Sequence, residues 1–375
     1  RPLRRGGEAM SLRGEAGWQA VHAKALGRER WPGLLAALKA PVAHVALVNP
    51  FLPEAAQAAV REERQLRPHE SIPLVCASTE GRPEGEAAAD AEDGLLLPAP
   101  RRPEAVAGEA EATGGGEAAG GEARPVGGQA VVLEEPLLPC YFLDGASALA
   151  ALALGAKPGE KVLDLCSAPG GKASMLAAML FATKEAREGP GRLVCNESSR
   201  PRAQRLQRVL SSFLPEELVA VGTGRVSVSI ADAATGTPPM QLQRLGPYDR
   251  VLVDAPCTSD RHLVRQGKSA LAHWASGAVK ANAERQLELL RCASMLVKRG
   301  GTVLYCTCAL SEQENDGVVA KFLKKAGQGF QLEPLAEAEG AAELLAGAEA
   351  TACGVLILPD RTPYGPMYIA RLRRV

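Results

Sequence analysis

Apolar and polar residues follow two kinds of periodicity along this chain, and from about residue 130 to the C-terminus the two kinds alternate. Short apolar runs, typical of buried strands, are separated by segments with the periodicity of amphipathic helices. The pattern predicts strands at 161–165, 192–195, 225–230, 250–253, 302–306, 355–358 and 367–372. It predicts helices at 141–154, 172–183, 201–213, 279–297 and 312–325.

The predicted fold class is α/β, with a mostly parallel seven-stranded sheet and helices on both faces. Parallel strands need crossover connections, which the predicted helices supply. The last two strands are close enough in sequence to pair antiparallel at one edge of the sheet. This architecture resembles the Rossmann-like class I fold of the S-adenosylmethionine-dependent methyltransferases.

The N-terminal part has a different pattern from the sheet region. Residues 15–80 have a globular composition and include a predicted strand at 42–51 and apolar residues at helical spacings, namely Trp18, Trp31, Leu34, Leu35 and Leu38. From 80 to about 128 the chain is rich in Ala, Gly, Glu and Pro and contains no aromatic residue. Such a segment cannot bury enough apolar area to offset the entropy lost on ordering, so we predict a disordered insert. The predicted regions are therefore 1–79, 80–130 and 131–375.

Bulk composition narrows the class of protein only in part. Apolar residues make up 46% of the chain, which is enough for a sizeable core, and the formal net charge is +0. A neutral total gives no sign of nucleic-acid binding, although a neutral chain can carry a basic face. No uninterrupted apolar run approaches the roughly 18 residues of a membrane span, so we expect no membrane association.

The chain has nine cysteines. An odd number without a signal peptide favours a reducing compartment over a disulfide framework. There is no pair of CxxC units, and the five histidines lack ligand spacing, so we expect no metal site. Most of the thiols are expected to be small core residues. A cysteine in any other position is therefore a candidate for chemistry.

A glycine-rich turn follows the first strand of the predicted sheet and opens the next helix. Its residues are Cys166, Ser167, Ala168, Pro169, Gly170, Gly171 and Lys172. In an open α/β sheet, ligands bind at the carboxyl ends of the strands, where small residues let the backbone approach a nucleoside. The spacing is neither that of a dinucleotide fingerprint nor that of a phosphate loop. A generic tight turn remains the alternative at this point.

Acidic residues follow the next three predicted strands. Glu197 lies just past the second strand, where nucleotide-binding sheets place an acid for the ribose hydroxyls. Asp232 follows the third strand and Asp254 the fourth. A single Asp at a strand end is usually a turn former, but four acidic or glycine-rich positions at successive strand ends indicate a pocket.

Two cysteines follow two consecutive predicted strands. Cys257 comes shortly after Asp254, and Cys308 follows the strand at 302–306. Because adjacent parallel strands end near one another, we expect both thiols to face one cleft although 51 positions separate them. A nucleophilic thiol needs its pKa lowered by positive charge or helix amides, and Lys172 is the candidate for that charge.

A thiol pair of this kind suits methylation of carbon 5 of cytosine, which is a poor nucleophile. Thiolate addition at carbon 6 makes carbon 5 enamine-like, and loss of the carbon 5 proton after methylation expels the enzyme. The Asp254 carboxylate at the polar edge of the pyrimidine would stabilise the adduct. Position and chemistry leave open which cysteine is the nucleophile.

The region 141–375, roughly two-thirds of the chain, resembles the Nop/Sun-domain (Fmu-like) RNA cytosine-5 methyltransferases in the motifs that contain these residues. The matching pieces are CSAPGGK at 166–172, DAPC at 254–257 and TC at 307–308. The resemblance implies that Cys308 is the nucleophile, that Cys257 assists release of the methylated RNA, and that Asp254 and Lys172 share the catalytic site. It implies S-adenosyl-L-methionine as cofactor, with contacts from the turn at 166–172, Glu197, Arg202, Asp232 and Asp254.

Finer similarity points to the mitochondrial branch of that family. It is carried by DRH at 260–262, the ending at 365–374, RWPGLL at 30–35 and ALVNPF at 46–51. This implies RNA as the partner and a mitochondrial matrix location, with transfer RNA favoured over ribosomal RNA on the spacing around Cys353, Gly354 and Pro359. It also implies an accessory or RNA-binding role for region 1–79. We expect a monomer, and a protein cofactor remains open.

The chain departs from the family pattern at three places. Cys306 stands where a serine is usual, and we expect it to pack without changing the chemistry. Ala233 follows Asp232 where glycine is common, which weakens the assignment of Asp232 to the adenine side. The insert before Val131 has no counterpart in the family. At the N-terminus, Arg1, Arg4, Arg5 and Arg13 fit either an organellar transit segment or a disordered basic end.

Other classes of function remain as alternatives. A non-catalytic RNA-binding scaffold of the same fold would have no need for Cys257, Cys308 and Lys172. A methyltransferase acting on an exocyclic amine or a protein nitrogen would need a motif such as NPPY after the fourth strand, and the chain has none. DNA cytosine methylation is disfavoured because those enzymes carry their nucleophile at the earlier Pro-Cys motif.

Overall fold

The computed structural model describes residues 12–78, 137–335 and 345–375. The predicted insert at 80–130 and Arg1, Arg4 and Arg5 lie outside the described residues. None of the helices in the described part has an apolar stretch long enough to cross a membrane.

The N-terminal region folds into helices and a small antiparallel sheet. Its elements are α1 (Gly14–Leu26), α2 (Trp31–Lys39), β1 (His44–Val48), α3 (Glu54–Glu63), β2 (Leu66–Pro68) and β3 (Cys76–Ser78). Trp18, Trp31, Leu34 and Leu38 are buried in the same hydrophobic cluster as the strands of the main sheet, so the predicted helices around them are confirmed. Helices α1 and α2 thus share a core with the main sheet. The small sheet has a hydrophobic cluster of its own, formed by Ala46, Val48, Leu66, Cys76, Cys140 and Phe142.

The prediction of one helix over 141–154 is wrong in its first part. Residues Cys140–Asp144 form strand β4, and helix α4 follows it as Gly145–Ala153. β4 pairs antiparallel with β1 and completes the small sheet in the order β2-β3-β1-β4. The Asp144 side chain accepts a hydrogen bond from the Ala146 amide and so starts the helix at this point. A partner strand about a hundred residues earlier therefore overrides the local helical pattern.

The main sheet and its helices follow in chain order. They are β5 (Lys161–Asp164), α5 (Gly171–Phe181), α6 (Lys184–Glu188), β6 (Arg192–Asn196), α7 (Arg200–Phe213), α8 (Glu216–Val219), β7 (Val226–Ser229), α9 (Met240–Leu245), β8 (Tyr248–Asp254), α10 (Asp260–Gln266), α11 (Lys268–Ala272), α12 (Ser276–Leu296), β9 (Val297–Thr307), α13 (Asp316–Ala326), β10 (Phe330–Leu332), β11 (Glu349–Ala350), β12 (Val355–Ile357) and β13 (Met367–Arg374).

These strands form one mixed sheet in the order β11-β12-β13-β9-β8-β5-β6-β7, with β10 paired to β13. The five strands from β9 to β7 are parallel, and β12 and β13 are antiparallel as predicted. All seven predicted strands are present, and the short strands β10 and β11 were missed. The α/β fold class is confirmed.

Both faces of the central strands are buried. Val251 and Val253 of β8 belong to the same cluster as α12, and Leu252 between them is equally buried. Successive side chains of a strand point to opposite faces, so helices must cover both sides. The chain runs from β5 outward to β7 and then returns to β8 and β9 on the other side of β5. The crevice at this reversal is where an open α/β sheet binds its ligand.

Candidate active site

The glycine-rich turn lies at the carboxyl end of β5, as predicted. Gly170 has a φ of 120°, and a Cβ there would lie 3.1 Å from Val209 and 3.2 Å from Leu206. A side chain at this position would therefore be both strained and crowded, which explains the glycine. The Ser167 amide donates to the carbonyl oxygen of Asn196, so the turn is tied to the end of the neighbouring strand β6.

Glu197 and Arg202 lie beside this turn. The Glu197 side chain is almost fully buried, and its Oε1 accepts a hydrogen bond of 2.9 Å from the Ser199 amide. Arg202 Nη1 lies 3.5 Å from Glu197 Oε2, and its Nη2 donates to the carbonyl oxygen of Ala168 at 2.9 Å. Arg202 thus connects the acid after β6 with the turn after β5.

A cleft runs along the ends of β5, β6 and β7. Its lining includes two of the three acids predicted for the pocket, Glu197 and Asp232, but not Asp254, and its apolar walls come from Leu165, Pro256 and Leu289. Carboxylates suit ribose hydroxyls or an amine, and the apolar walls suit a flat base. These acceptors and apolar walls suit the chemistry of the nucleoside part of S-adenosylmethionine. Arg285, which sequence reasoning missed, also lines the cleft and donates to Asp232 at 3.1 Å.

Lys172 and Asp254 form an ion pair at the next strand end. Lys172 Nζ lies 2.8 Å from Asp254 Oδ2 and also donates to Ser147 Oγ at 3.0 Å. Burial alone would lower the pKa of Lys172, but the Asp254 carboxylate raises it above its usual range. Lys172 therefore remains a cation inside the site. Sequence reasoning missed Ser147, which lies 25 positions before Lys172 in α4 and belongs to none of the motifs.

The two predicted cysteines are in contact. Cys257 follows β8, Cys308 follows β9, and their Sγ atoms are 3.2 Å apart. The hydrogen bond from Cys257 lowers the pKa of the Cys308 thiol although burial opposes it, and Lys172 contributes in the same direction. The same hydrogen bond, together with burial, raises the pKa of Cys257 well above its usual range. The site thus favours a thiolate at Cys308 and a thiol at Cys257.

Cys306 is fully buried at the end of β9, and its Sγ donates to Asp254 Oδ1 at 3.5 Å. Burial raises the pKa of this thiol well above its usual range, so it is a poor nucleophile. Asp254 is thereby held from both sides, by Lys172 at one oxygen and by Cys306 at the other. Within the described ranges, no cluster of three possible metal ligands occurs.

Two neighbouring residues, which sequence reasoning assigned to a helix, hold the two cysteine loops. Glu314 accepts hydrogen bonds from the amide and hydroxyl of Thr258, next to Cys257. Asn315 accepts from the Thr307 hydroxyl and donates to the Ala309 carbonyl oxygen, on either side of Cys308. α13 begins only after these residues. The one available signal was Asn315 itself, because asparagine favours the position just before a helix.

We expect replacement of Glu314 by alanine to destabilise the protein. Glu314 Oε1 accepts from the Thr258 amide and from Gln286 Nε2, both at 3.0 Å. Alanine removes both bonds and leaves the partly buried Thr258 amide without its acceptor, while Gln286 Nε2 keeps only its bond to the Pro256 carbonyl oxygen. The free energy of unfolding should fall by roughly 2–4 kcal/mol, as measured by denaturant titration. Glu312→Ala, at an exposed position two residues earlier, is the matched control and should change it by less than about 0.5 kcal/mol. Equal losses in both variants would contradict this role.

Asp164, at the end of β5, gives the site a pH-dependent stability. Burial raises its pKa from 3.8 to about 7, opposed by a hydrogen bond from Ser167 and aided by the charge of Asp254. Between about pH 4 and 7 the folded state keeps a proton that the unfolded chain has released. The free energy of unfolding therefore decreases as pH rises through this window, by up to roughly 1.4 kcal/mol per pH unit.

Asp164→Asn removes the titrating group and keeps an acceptor for Ser167. We expect denaturant titrations at pH 4.5 and 6.5 to show a smaller loss of stability with rising pH in this variant than in the unsubstituted protein. Identical pH slopes in the two proteins would show that Asp164 does not titrate in this window.

The sequence of this chain is similar to those of known proteins. A sequence model of the family described as 16S rRNA methyltransferase RsmB/F matches residues 151–373. The chain is 35% identical over 236 residues to the mitochondrial tRNA (cytosine(34)-C(5))-methyltransferase of Mus musculus, covering 62% of this chain and 63% of that protein. It is 33% identical over 246 residues to the 5-cytosine rRNA methyltransferase NSUN4 of Bos taurus, covering 64% of this chain and 60% of that protein. The chain thus spans less than two thirds of the length of these relatives.

Solved structures share the fold. NSun6 from Pyrococcus horikoshii with SFG superposes with a TM-score of 0.61 at 19% identity, covering 95% of this chain and 97% of that one. PH0851 superposes with a TM-score of 0.64 at 20% identity, covering 96% of this chain and 66% of that one. The family match spans more than half of the 375 residues, so the chain belongs to the family described as 16S rRNA methyltransferase RsmB/F.

Proposed function

We propose that this chain is an RNA (cytosine-5) methyltransferase that uses S-adenosyl-L-methionine and forms a covalent bond between Cys308 and its RNA. The observation that carries the proposal is the contact of 3.2 Å between the Cys257 and Cys308 sulfurs beside the ion pair of Lys172 and Asp254. A scaffold protein has no use for a thiol whose pKa is lowered next to a buried cation. An amine methyltransferase needs no nucleophile of its own.

The first step is addition of the Cys308 thiolate to carbon 6 of the target cytosine. Lys172 favours the thiolate through its charge. Asp254, whose side chain is 30% exposed while that of Lys172 is 12% exposed, is accessible to the amino edge of the base. Its carboxylate can accept from the exocyclic amine and so hold the ring, while the Lys172 cation offsets the negative charge that develops on it.

Addition at carbon 6 moves electron density to carbon 5. When bound, S-adenosylmethionine supplies the electrophilic methyl group that carbon 5 accepts. We propose that the cofactor is bound by the turn after β5 and by four further residues. These are Cys166, Ser167, Ala168, Pro169, Gly170, Gly171 and Lys172 of the turn, with Glu197, Arg202, Asp232 and Asp254. Glu197 and Asp232 face the cleft with oxygen acceptors, and Arg202 fixes the turn to Glu197.

Release requires loss of the carbon 5 proton and cleavage of the bond between carbon 6 and sulfur. We propose that Cys257 accepts the carbon 5 proton. In the free protein its pKa is raised first by the hydrogen bond to Cys308. Once Cys308 is a neutral thioether it accepts this hydrogen bond only weakly, so Cys257 loses its own proton to solvent more readily. The resulting Cys257 thiolate then takes the carbon 5 proton. The electron pair of the broken C–H bond restores the ring double bond and expels the Cys308 thiolate.

Transfer RNA in the mitochondrial matrix is the proposed substrate and location. The mouse relative, named for cytosine 34 of mitochondrial transfer RNA, supports this choice. Ribosomal RNA is the second candidate, because the bovine relative is named for it. We further propose that residues 1–79 contribute to RNA binding and that the protein acts as a monomer, with any protein cofactor unspecified.

The experiment is methyl transfer from labelled S-adenosylmethionine to mitochondrial RNA, followed by digestion to nucleosides. We expect label in 5-methylcytidine. Bisulfite sequencing of RNA from cells that lack the protein then separates the two substrates, because the unmethylated position appears in a transfer RNA or in a ribosomal RNA. Label found only in other nucleosides would contradict the proposed reaction.

A further inference from the structure

Ser259 lies against both thiols in a backbone conformation that serine rarely adopts. Its φ and ψ are both 53°, which is the left-handed region. Its Oγ lies 3.5 Å from Cys308 Sγ and 3.7 Å from Cys257 Sγ. Left-handed residues other than glycine persist where their surroundings determine them, and they are concentrated at functional sites.

The residues on both sides of Ser259 are fixed. Thr258 is held by Glu314 through its amide and its hydroxyl. Asp260 is completely buried, accepts from Trp18 Nε1 at 2.7 Å and accepts from the Leu310 amide at 2.7 Å. The serine hydroxyl is therefore placed by its neighbours and has no need of the sulfurs to hold it there.

We propose that Ser259 is a positioning residue whose hydroxyl donates a hydrogen bond to the Cys308 thiolate and so favours the nucleophilic form of this cysteine. The inference rests on the function proposed above. In the thiol form, Cys308 donates to Ser259 Oγ, while the Ser259 hydroxyl is 3.5 Å from the Cys257 carbonyl oxygen and donates to it. When Cys308 ionises, its proton passes to solvent and the sulfur can only accept.

The hydroxyl then turns about its own C–O bond and donates to the sulfur without any movement of heavy atoms. A hydrogen bond to a charged acceptor is stronger than one between neutral groups. The Ser259 bond acts in the same direction as the charge of Lys172 on the pKa of Cys308, which lies below its usual value first because of Cys257. After the thiolate has added to carbon 6, the sulfur is a neutral thioether, and the hydroxyl returns to the carbonyl oxygen.

The test uses Ser259→Gly, which removes the hydroxyl and suits the left-handed backbone. The readout is alkylation of Cys308 by iodoacetamide at a series of pH values, with the modified cysteine located by mass spectrometry. We expect the midpoint of the rate profile to move to higher pH. Because intrinsic nucleophilicity increases as the thiolate becomes more basic, each tenfold loss of thiolate should slow alkylation about threefold below the midpoint. Above the midpoint the variant should react faster than the unsubstituted protein.

Two further variants separate the hydroxyl from the backbone. Ser259→Asn keeps a hydrogen-bond donor and tolerates the left-handed conformation. The midpoint of its pH profile should therefore lie between those of Ser259→Gly and the unsubstituted protein. Gln65→Gly relaxes another left-handed residue, with a φ of 50° in the turn between α3 and β2, and should leave the profile unchanged. An unchanged midpoint in Ser259→Gly, or an equal shift in Gln65→Gly, would overturn the assignment.

Methyl transfer provides the second arm. We expect Ser259→Gly to lower kcat about threefold at neutral pH with KM for RNA unchanged, and to approach the unsubstituted rate as pH rises. Alkylation requires no RNA, so its shift supports the role of Ser259 even when the unsubstituted protein transfers no methyl group. The absence of methyl transfer by the unsubstituted protein would contradict only the proposed function.

Discussion

Replacing Cys308 by alanine is expected to lower the single-turnover rate constant for methyl transfer by at least about 10³-fold. Alanine cannot bond to carbon 6, so carbon 5 never becomes nucleophilic enough to accept a methyl group. The measurement is incorporation of labelled methyl into RNA under single-turnover conditions with the variant in excess. Binding of the cofactor should be unchanged, because Cys308 does not line the cleft beside Glu197.

Cys306→Ser is the matched control for this substitution. Cys306 lies two residues before Cys308, and a serine keeps the donor to Asp254 Oδ1. We expect this variant to retain activity within a few-fold, since the nucleophile and the ion pair remain. Activity of Cys308→Ala near that of the unsubstituted protein would contradict the assignment. An equally severe loss in both variants would trace the effect to disruption of the strand end and would also contradict it.

Replacing Cys257 by alanine is expected to trap the protein on its RNA. Addition at carbon 6 remains possible because Cys308 and Lys172 are intact, but the group assigned to take the carbon 5 proton is gone. The adduct should accumulate and survive denaturation. A denaturing gel with labelled RNA measures it, and turnover should fall on the order of 10²-fold or more, as is typical for loss of a proton-transfer group.

The double variant Cys257→Ala with Cys308→Ala shows which sulfur carries the RNA. We expect no adduct from it. An adduct that persists in the double variant would exclude Cys308 as its attachment point. Normal turnover without an adduct in Cys257→Ala would contradict the role of Cys257 in release.

The placement of the two cysteines followed from the sequence because it depends on a general property of parallel sheets. β8 and β9 are consecutive parallel neighbours, and Asp254 pairs directly with Cys306 in their register. The residues shortly after each strand must then lie close together. The same argument placed the acids Glu197 and Asp232 with the turn after β5, since β5, β6 and β7 are also adjacent.

Strand β4 could not be predicted in this way. Its residues are all apolar apart from Asp144, so they carry no alternation that distinguishes a strand from a buried helix. The choice is made by pairing with β1, in which Val45 lies opposite Leu143. A local pattern contains no information about a partner strand that lies about ninety residues earlier in the chain.

The residues that hold the cysteine loops were missed for a related reason. Glu314 contacts Thr258 across 56 positions of sequence, and nothing near Glu314 marks that contact. The same is true of Ser259, because nothing in the sequence around it marks its left-handed backbone. Motif reasoning finds the groups that react, whereas the groups that hold them emerge only from tertiary structure.

The N-terminal helix α1 is connected to the catalytic loops by one buried carboxylate. Asp260 accepts from Trp18 of α1 and from the Leu310 amide after Cys308, and His22 Nε2 lies 3.2 Å away. Burial alone would raise the pKa of Asp260, but His22 and Trp18 hold it below its usual value. The DRH sequence that suggested the mitochondrial branch therefore joins the N-terminal region to the site.

The most direct test of the central claim is to identify the methylated nucleoside and its dependence on one sulfur. Mitochondrial RNA is incubated with S-adenosylmethionine and either the unsubstituted protein or Cys308→Ala, then digested and analysed by mass spectrometry. We predict 5-methylcytidine with the unsubstituted protein and none above background with the variant. Formation of 5-methylcytidine by Cys308→Ala, or methylation of another atom by the unsubstituted protein, would contradict a Cys308-dependent methylation of cytosine.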